Sequence, residues 1–568
     1  MLLPIQIFDN PARNILLLNS RDEIAYKPSM IMKTRSCLAL FLFTATFLPK
    51  TAESASRVSV TGGKASSSYI DSDITITLNP YGIAPLAALA EFTTRIPCDV
   101  FLEVRGEIPV QGNFKDESTE HAVPIVGLYP GRENTVDLTL YRHHGTPEHQ
   151  TLSITTEPLP DFFPTIVIDT VLPSQMEPGF NLSVFSHFTG EVPITVPFIF
   201  DATGQVRAFF NLAQTPGQTI SFERTANGHF VVGTQSTIYE YDVLGRLCNR
   251  LDVPGYAFHH DVREMPDGSL LAVVDKAGTR IVNWMGIVPS IADHLIQIDR
   301  TNGEVLREWD MRALLDVRRN EEICEPGDWF HMNGVWYCPQ DDSFIISGRN
   351  QGLVKVTRDN QLAWILAAHS SWAGSGWAAS GWDGSGPSPA PHLLTAVDAS
   401  GAPYADDIQA GFAAADDFDW PWGQHDPLLT PDGDLLVFDN GLNRMFRDGD
   451  PYFSRGVEYV VDEGAMTVRQ VWQYGKERGQ ELYASVISSV EYLPLTSNRL
   501  IAPGVLRVPE DPSAKVVEVT YPAGDVVFEA TIRFRNLCAV AEFGKYDIVY
   551  RTRRIPSLYP AIHAGFTQ

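Results

Sequence analysis

Three polar residues stand at matching places in three repeated stretches of the chain. His260 lies six residues before Pro266, Asn333 six before Pro339, and His425 six before Pro431. His259-His260-Asp261 and Gln424-His425-Asp426 share a His-Asp pair, and each stretch runs on to a Pro-Asp-Gly turn. His331-Met332-Asn333 is the altered third copy. Neutral imidazole attacks electrophiles or moves protons near neutral pH. Arg349 joins the set by chain geometry. A strand from Asn333 that turns at Pro339–Asp342 and returns through Phe344–Gly348 brings Arg349 back beside Asn333. A guanidinium at the end of an apolar strand is suited to face an anion. His331 precedes Asn333 by two, so a regular strand puts both on one face, and the same alternation turns Asp261 and Asp426 away from their histidines to orient backbone or neighbours. Imidazoles, an amide and a guanidinium fit an oxyanion ligand with a histidine as nucleophile or as acid and base. Glycoside hydrolysis, which needs two facing carboxylates, is not what they fit.

The elements that must position these residues are short strands. From about residue 162 the chain repeats a strand, a Gly or Asn/Asp turn and an apolar strand, as in Pro266–Val273, Pro431–Phe438 and Pro494–Ile501. A further strand follows, then a last one that often ends in an aromatic: Trp309, Trp364, Trp472, Phe528. Four strands every 40–50 residues or so is the signature of a β-propeller. Five units are clear, and 162–212 with 535–560 are expected to supply a sixth. Inner strands line a central channel, so His260, Asn333 and His425 should ring one mouth of it. The corresponding residues of two other repeats are Ile220 and Ser488, so the repeat itself does not demand histidine. Before the repeats, Ile74–Leu78, Asp99–Val104 and Thr135–Leu140 alternate apolar and polar residues, which suits a small β-sandwich. The expected fold is therefore all-β: a sandwich over 56–160 and a six-bladed β-propeller over 161–568.

Composition sets the class. The chain has 568 residues, 44% hydrophobic, and a formal net charge of −26. That charge argues against a nucleic-acid partner, since phosphate binding needs clustered cations. Residues 32–35 are a short basic start, Leu38–Leu48 an apolar run, and Ala52-Glu53-Ser54 a cleavage point. This reads as a secretory signal within 1–55, preceded by an extension from a mis-assigned start, and it implies a periplasmic or secreted protein. No later stretch is long and apolar enough for a membrane helix. Six cysteines become an odd number once Cys37 is removed; Cys324 and Cys338 are the nearest pair in sequence. No metal- or cofactor-binding spacing is present. An insertion over 370–423 opens with a Gly/Ser-rich run carrying Trp372, Trp377 and Trp382. It reads as a surface loop packed on the propeller or a lid that stacks on an aromatic substrate.

With Asn79-Pro80-Tyr81-Gly82-Ile83-Ala84-Pro85-Leu86 near the start of the small domain, and with His260-Asp261, His331-Met332-Asn333, Gly348-Arg349-Asn350 and Gln424-His425-Asp426 in that order, most of the mature chain resembles the bacterial arylsulfate sulfotransferases. The resemblance implies sulfuryl transfer from a phenolic sulfate donor to a phenolic acceptor, with no nucleotide donor and no cofactor. By it His425 is the nucleophile and is transiently sulfated in a ping-pong scheme. His260, His331 and Arg349 bind the sulfuryl oxygens, a histidine protonates the departing phenolate, and Asn333 adds a hydrogen bond. A homodimer is left open. The tryptophan-rich insertion and the wide Cys324–Cys338 spacing depart from the family. Arylsulfatase-like hydrolysis at the same site, and a ligand-binding propeller with no catalysis, are the rival readings.

Overall fold

A computed structural model describes residues 56–59 and 69–561, apart from 143–144, 189–192, 214, 216–220, 284–285, 318–326, 371–389, 443, 445–451, 507–511 and 536–546. The signal sequence, most of the tryptophan-rich run, Ile220 and Cys324 lie outside the described residues. Nearly all regular structure is β, and no described helix is long and apolar enough to cross a membrane.

The N-terminal strands form one six-stranded sheet. Its spine is Ala87–Val104, which pairs along its length with Val110–Val126. On the other edge its first half pairs with Thr75–Leu78 and its second half with Glu133–Tyr141. Alternate residues of the spine, Val100, Leu102 and Val104, are wholly buried, as the period-two pattern predicts.

Among the described residues six further sheets of four or five strands follow. Four are built from consecutive segments, with inner strands Glu223–Arg224, Tyr256–Glu264, Met332–Cys338 and His425–Leu429. The inner and second strands are joined by the predicted turns. Gly268 (φ 83°) and Gly433 (φ 89°) take the left-handed conformation that closes two of them, a conformation cheap only for glycine. The other two sheets exchange strands across the whole chain. Phe180–His187, Ile194–Phe200 and Val206–Phe209 receive Ile548–Ile555 as their inner strand. Thr165–Val171, expected to join that same sheet, instead pairs with Val526–Arg533 on the outer edge of the last one. The ring is thus closed at two points by segments from opposite ends of the chain.

The small domain is fixed to this ring by buried polar contacts. Arg207 is fully buried and donates to Gly127 O, Ile108 O and Asp201. The Tyr559 hydroxyl donates to Pro124 O (2.9 Å).

Candidate active site

The three inner strands that carry the polar residues all break their ladder at the same level. In the third sheet pairing leaves off at Phe258↔Val274 and resumes at Val262↔Ala272, so His259, His260 and Asp261 occupy a bulge. In the fourth it steps from Met332↔Gly348 to Gly334↔Ser347, and in the fifth from His425↔Phe438 to Leu428↔Leu436. The backbone is left-handed at His331 (φ 53°) and Asp426 (φ 57°). A bulge re-aims side chains, so the regular alternation expected around His331 and Asn333 does not hold.

The aspartates show what the bulges do. The Asp261 carboxylate accepts from Val335 N–H and the Asp426 carboxylate from Val490 N–H, both 3.2 Å. Each therefore ties its own inner strand to the corresponding residue of the next one. Where the fourth sheet meets the fifth, the aspartate is replaced by Gly334 and its partner by Pro427, which has no N–H to satisfy. There the backbones pack directly: a Cβ on Gly334 would lie 2.9 Å from Pro427 Cδ. In the last sheet Ser489 takes the aspartate's place and exchanges bonds with Thr552 (3.1 and 3.0 Å). The two buried carboxylates are neutralised by arginines. Arg553 grips Asp426 through both nitrogens (2.5 and 2.6 Å), Arg551 donates to Asp261 (2.8 Å), and Arg263 spans the pair.

Above this layer lie the imidazoles. His425 is buried, and its Nδ1 meets Asn440 Oδ1 (2.7 Å) and Gly423 O (3.1 Å). The Asn440 amide nitrogen is committed to Ala484 O and Ile487 O, so its oxygen faces the ring. Both partners of Nδ1 are acceptors, so Nδ1 carries the hydrogen and Nε2 keeps its lone pair. Burial, reinforced by the positive charge of Arg349, holds His425 well below the usual imidazole range. The ring is therefore neutral at ordinary pH.

His260 and His331 touch through their Nε2 atoms at 2.9 Å. The far nitrogen of His331 meets the Asp328 carboxylate (2.8 Å), and the far nitrogen of His260 meets the Tyr550 hydroxyl (3.0 Å). Burial and the neighbouring His259 push His260 well below its ordinary range. Burial alone would raise Asp328, but His331 and Arg349 outweigh it and keep the carboxylate ionised. Arg349 donates its backbone N–H to His331 O (3.1 Å), so the antiparallel return delivers it opposite His331 rather than Asn333. Asn333 is fully buried; its amide nitrogen is spent on Gln424 O (2.8 Å), and its Oδ1 has no hydrogen-bond partner among the described residues.

Among the residues singled out from sequence, His260 and His331 are in direct contact, Arg349 bonds through its backbone to His331 and acts on His425 by its charge, and Asn333 supports the strand start that bears His425. Four more residues belong with them: Asn440, Tyr550, Asp328 and His259, whose ring lies 4.1 Å from that of His260. The strand-return argument that finds Arg349 would also have found Asn440, which directly follows the return strand Leu435–Asp439. Tyr550 had no such signal, since its strand is 290 residues from His260. Among the described residues no disulfide joins Cys98, Cys248 and Cys338; all are free thiols.

The family model described as arylsulfotransferase (ASST) matches residues 174–541, and that of the arylsulfotransferase Ig-like domain matches 75–157. The chain is 27% identical over 508 residues to the arylsulfate sulfotransferase AssT of Escherichia coli, covering 73% of this chain and 82% of that protein. It is 28% identical over 559 residues to the protein of the same name from Lelliottia amnigena, covering 80% and 90%.

Proposed function

The chain belongs to the arylsulfotransferase family, and on that premise we propose that it moves a sulfuryl group from a phenolic sulfate ester to an acceptor phenol in two half-reactions, with His425 as the carrier. The observation that carries the reading is the fixed tautomer of a buried, neutral imidazole: Nδ1–H is held by two acceptors and Nε2 presents its lone pair. In the first half-reaction Nε2 attacks sulfur and the aryl oxygen leaves. In the second a phenol oxygen attacks the same sulfur and Nε2 leaves, which is a ping-pong scheme. Negative charge on the sulfuryl oxygens is shared throughout, and Arg349 is the fixed cation beside His425 that stabilises it. Asn440 holds the ring, and Asn333 holds the Gln424 carbonyl immediately before it. Export, expected from residues 32–54, would give the enzyme phenolic substrates outside the cytoplasm.

The test is intact mass after brief exposure to a chromogenic phenyl sulfate. A gain of one sulfuryl group, absent in His425→Ala and removed by a second phenol, is the expected result. Phenol release that ignores added phenol would point instead to hydrolysis. No adduct and no release, in folded protein with several aryl sulfates, would sink the enzymatic reading.

A further inference from the structure

Two of the bulges carry left-handed backbone in residue types that tolerate it, His331 and Asp426. At the matching level of the last sheet, left-handed backbone includes a residue that does not. Ile487 (φ 56°) and Ser488 (φ 88°) directly precede the inner strand Ser489–Tyr492. Among the described residues they are the one adjacent pair of non-glycine residues with positive φ, and Ile487 is the one β-branched residue of that kind. A branched Cβ crowds the carbonyl in this conformation, so it persists only where the surroundings enforce it. They do so from several sides. Ile487 is buried, and its side chain packs closely on Gly504, where a Cβ would lie 2.9 Å from Ile487 Cδ1 and 1.9 Å from Val549 O. Ser488 donates its backbone N–H to Tyr550 O (3.1 Å). Its hydroxyl accepts from Gly504 N–H (3.0 Å) and donates to Val486 O (3.3 Å).

The consequence is where the Ile487 carbonyl points. With Ala484 O it receives the two hydrogens of the Asn440 amide (2.9 and 2.7 Å). Those two acceptors decide which way the amide faces. Reversed, it would set its oxygen against two carbonyl oxygens and offer His425 Nδ1 a donor. The ring would then keep its hydrogen on Nε2, with no lone pair there for sulfur. Gly423 O (3.1 Å) favours the attacking tautomer too, but it does not restrain the amide. We propose that Ile487 and Ser488 are positioning residues for the transfer reaction: their left-handed backbone aims the Ile487 carbonyl at Asn440 and thereby fixes the tautomer in which His425 Nε2 is free to attack. This rests on the transfer reading above. The same dipeptide, through Ser488 N–H, fastens the strand that brings the Tyr550 hydroxyl to His260 (3.0 Å). The supports of two imidazoles on different sheets therefore meet in one strained turn.

The test compares Ile487→Gly with Ile487→Ala. Both remove the same packed side chain, but glycine takes a left-handed φ freely and alanine does not. With folding checked by circular dichroism, single-turnover sulfo-enzyme formation from a nitrophenyl sulfate should be about tenfold slower in the alanine variant than in the glycine variant, the ratio expected from their left-handed preferences. Nitrogen NMR of the histidine-labelled enzyme, with the His425 signals assigned by their loss in His425→Ala, reads the tautomer directly. Hydrogen should sit on Nδ1 in the wild type and in Ile487→Gly, and on Nε2 in a share of the Ile487→Ala molecules. Equal rates in the two variants, or a wild-type ring spectrum in Ile487→Ala, would overturn this inference and leave the carrier reading standing. A wild type that forms no adduct would overturn the carrier reading, and the catalytic use of the tautomer with it. The spectra need no substrate, so they would still decide what sets the ring. Should Ile487→Ala fail to fold, Ser488→Gly against Ser488→Ala poses the same question with a smaller side chain removed.

Discussion

Replacing Asn440 with leucine removes three hydrogen bonds at once: the acceptor for His425 Nδ1–H at 2.7 Å and the donors to Ala484 O and Ile487 O. Each buried bond contributes about 1 kcal/mol net, so the variant should be roughly 3 kcal/mol less stable. Two remnants soften the loss: Ser454 Oγ still donates to Ala484 O, and Gly423 O still faces Nδ1. A deficit of that size leaves most domains folded. The ring, however, loses the contact that fixes both its tautomer and its orientation. Misplacing a reacting atom by about an ångström costs on the order of a hundredfold in rate, and that is the expected fall in sulfo-enzyme formation, read by rapid-quench intact mass with a nitrophenyl sulfate. The loss is not one of protonation. The Asn440 bond favours the charged ring, so its removal leaves His425 still harder to protonate, and raising the pH should restore nothing. A folded Asn440→Leu enzyme with an unchanged burst rate would refute the assignment of Nε2 as the attacking atom, as would full rescue at high pH.

His425 stays neutral well below the ordinary imidazole value, so activity should persist when the pH is lowered from 7 to 6; an acid limb centred near 6.5 would contradict this. Stability should respond sooner. His260 and His425 have depressed folded pKa values, so below about 6.5 the unfolded chain binds protons that the folded chain refuses, and stability is lost as pH falls through that value. From pH 6.5 to 5.5 this amounts to about 1 kcal/mol for each ring, measurable as a shift in urea midpoint. Asp426→Asn strips the carboxylate from between Arg553 and Arg263 and leaves buried positive charge uncompensated. A loss of about 3–5 kcal/mol in urea unfolding is expected, and a loss below 1 kcal/mol would show that the arginines find other partners.

The fold was legible because its signals are local. Alternation, the Pro-Asp-Gly turns and the recurring aromatic strand ends each involve a few adjacent residues, and together they specified strands and their antiparallel neighbours. Arg349 was found in the same way, through one hairpin. What escaped is whatever depends on irregularity or distance. The bulges at His260, Asn333 and His425 each insert residues into a strand whose sequence looks regular, so while Asp261 and Asp426 do orient neighbouring backbone as expected, their particular partners, Val335 and Val490, had no signal. The destination of Thr165–Val171 depends on pairing with Val526–Arg533, more than three hundred residues on, and no pattern within either strand names the other. Tyr550, 290 residues from the His260 it bonds, is the same case.

The strand Ile548–Ile555 leaves the ribosome after every other strand described, yet it forms the inner wall of the first sheet. It alone brings Tyr550 to His260, Arg551 to Asp261, and Arg553 to Asp426. The middle four sheets are built from consecutive segments, and without that strand His260 lacks its hydroxyl partner and the two aspartates share Arg263 alone. The setting of the site thus depends on the insertion of one strand drawn from far along the chain.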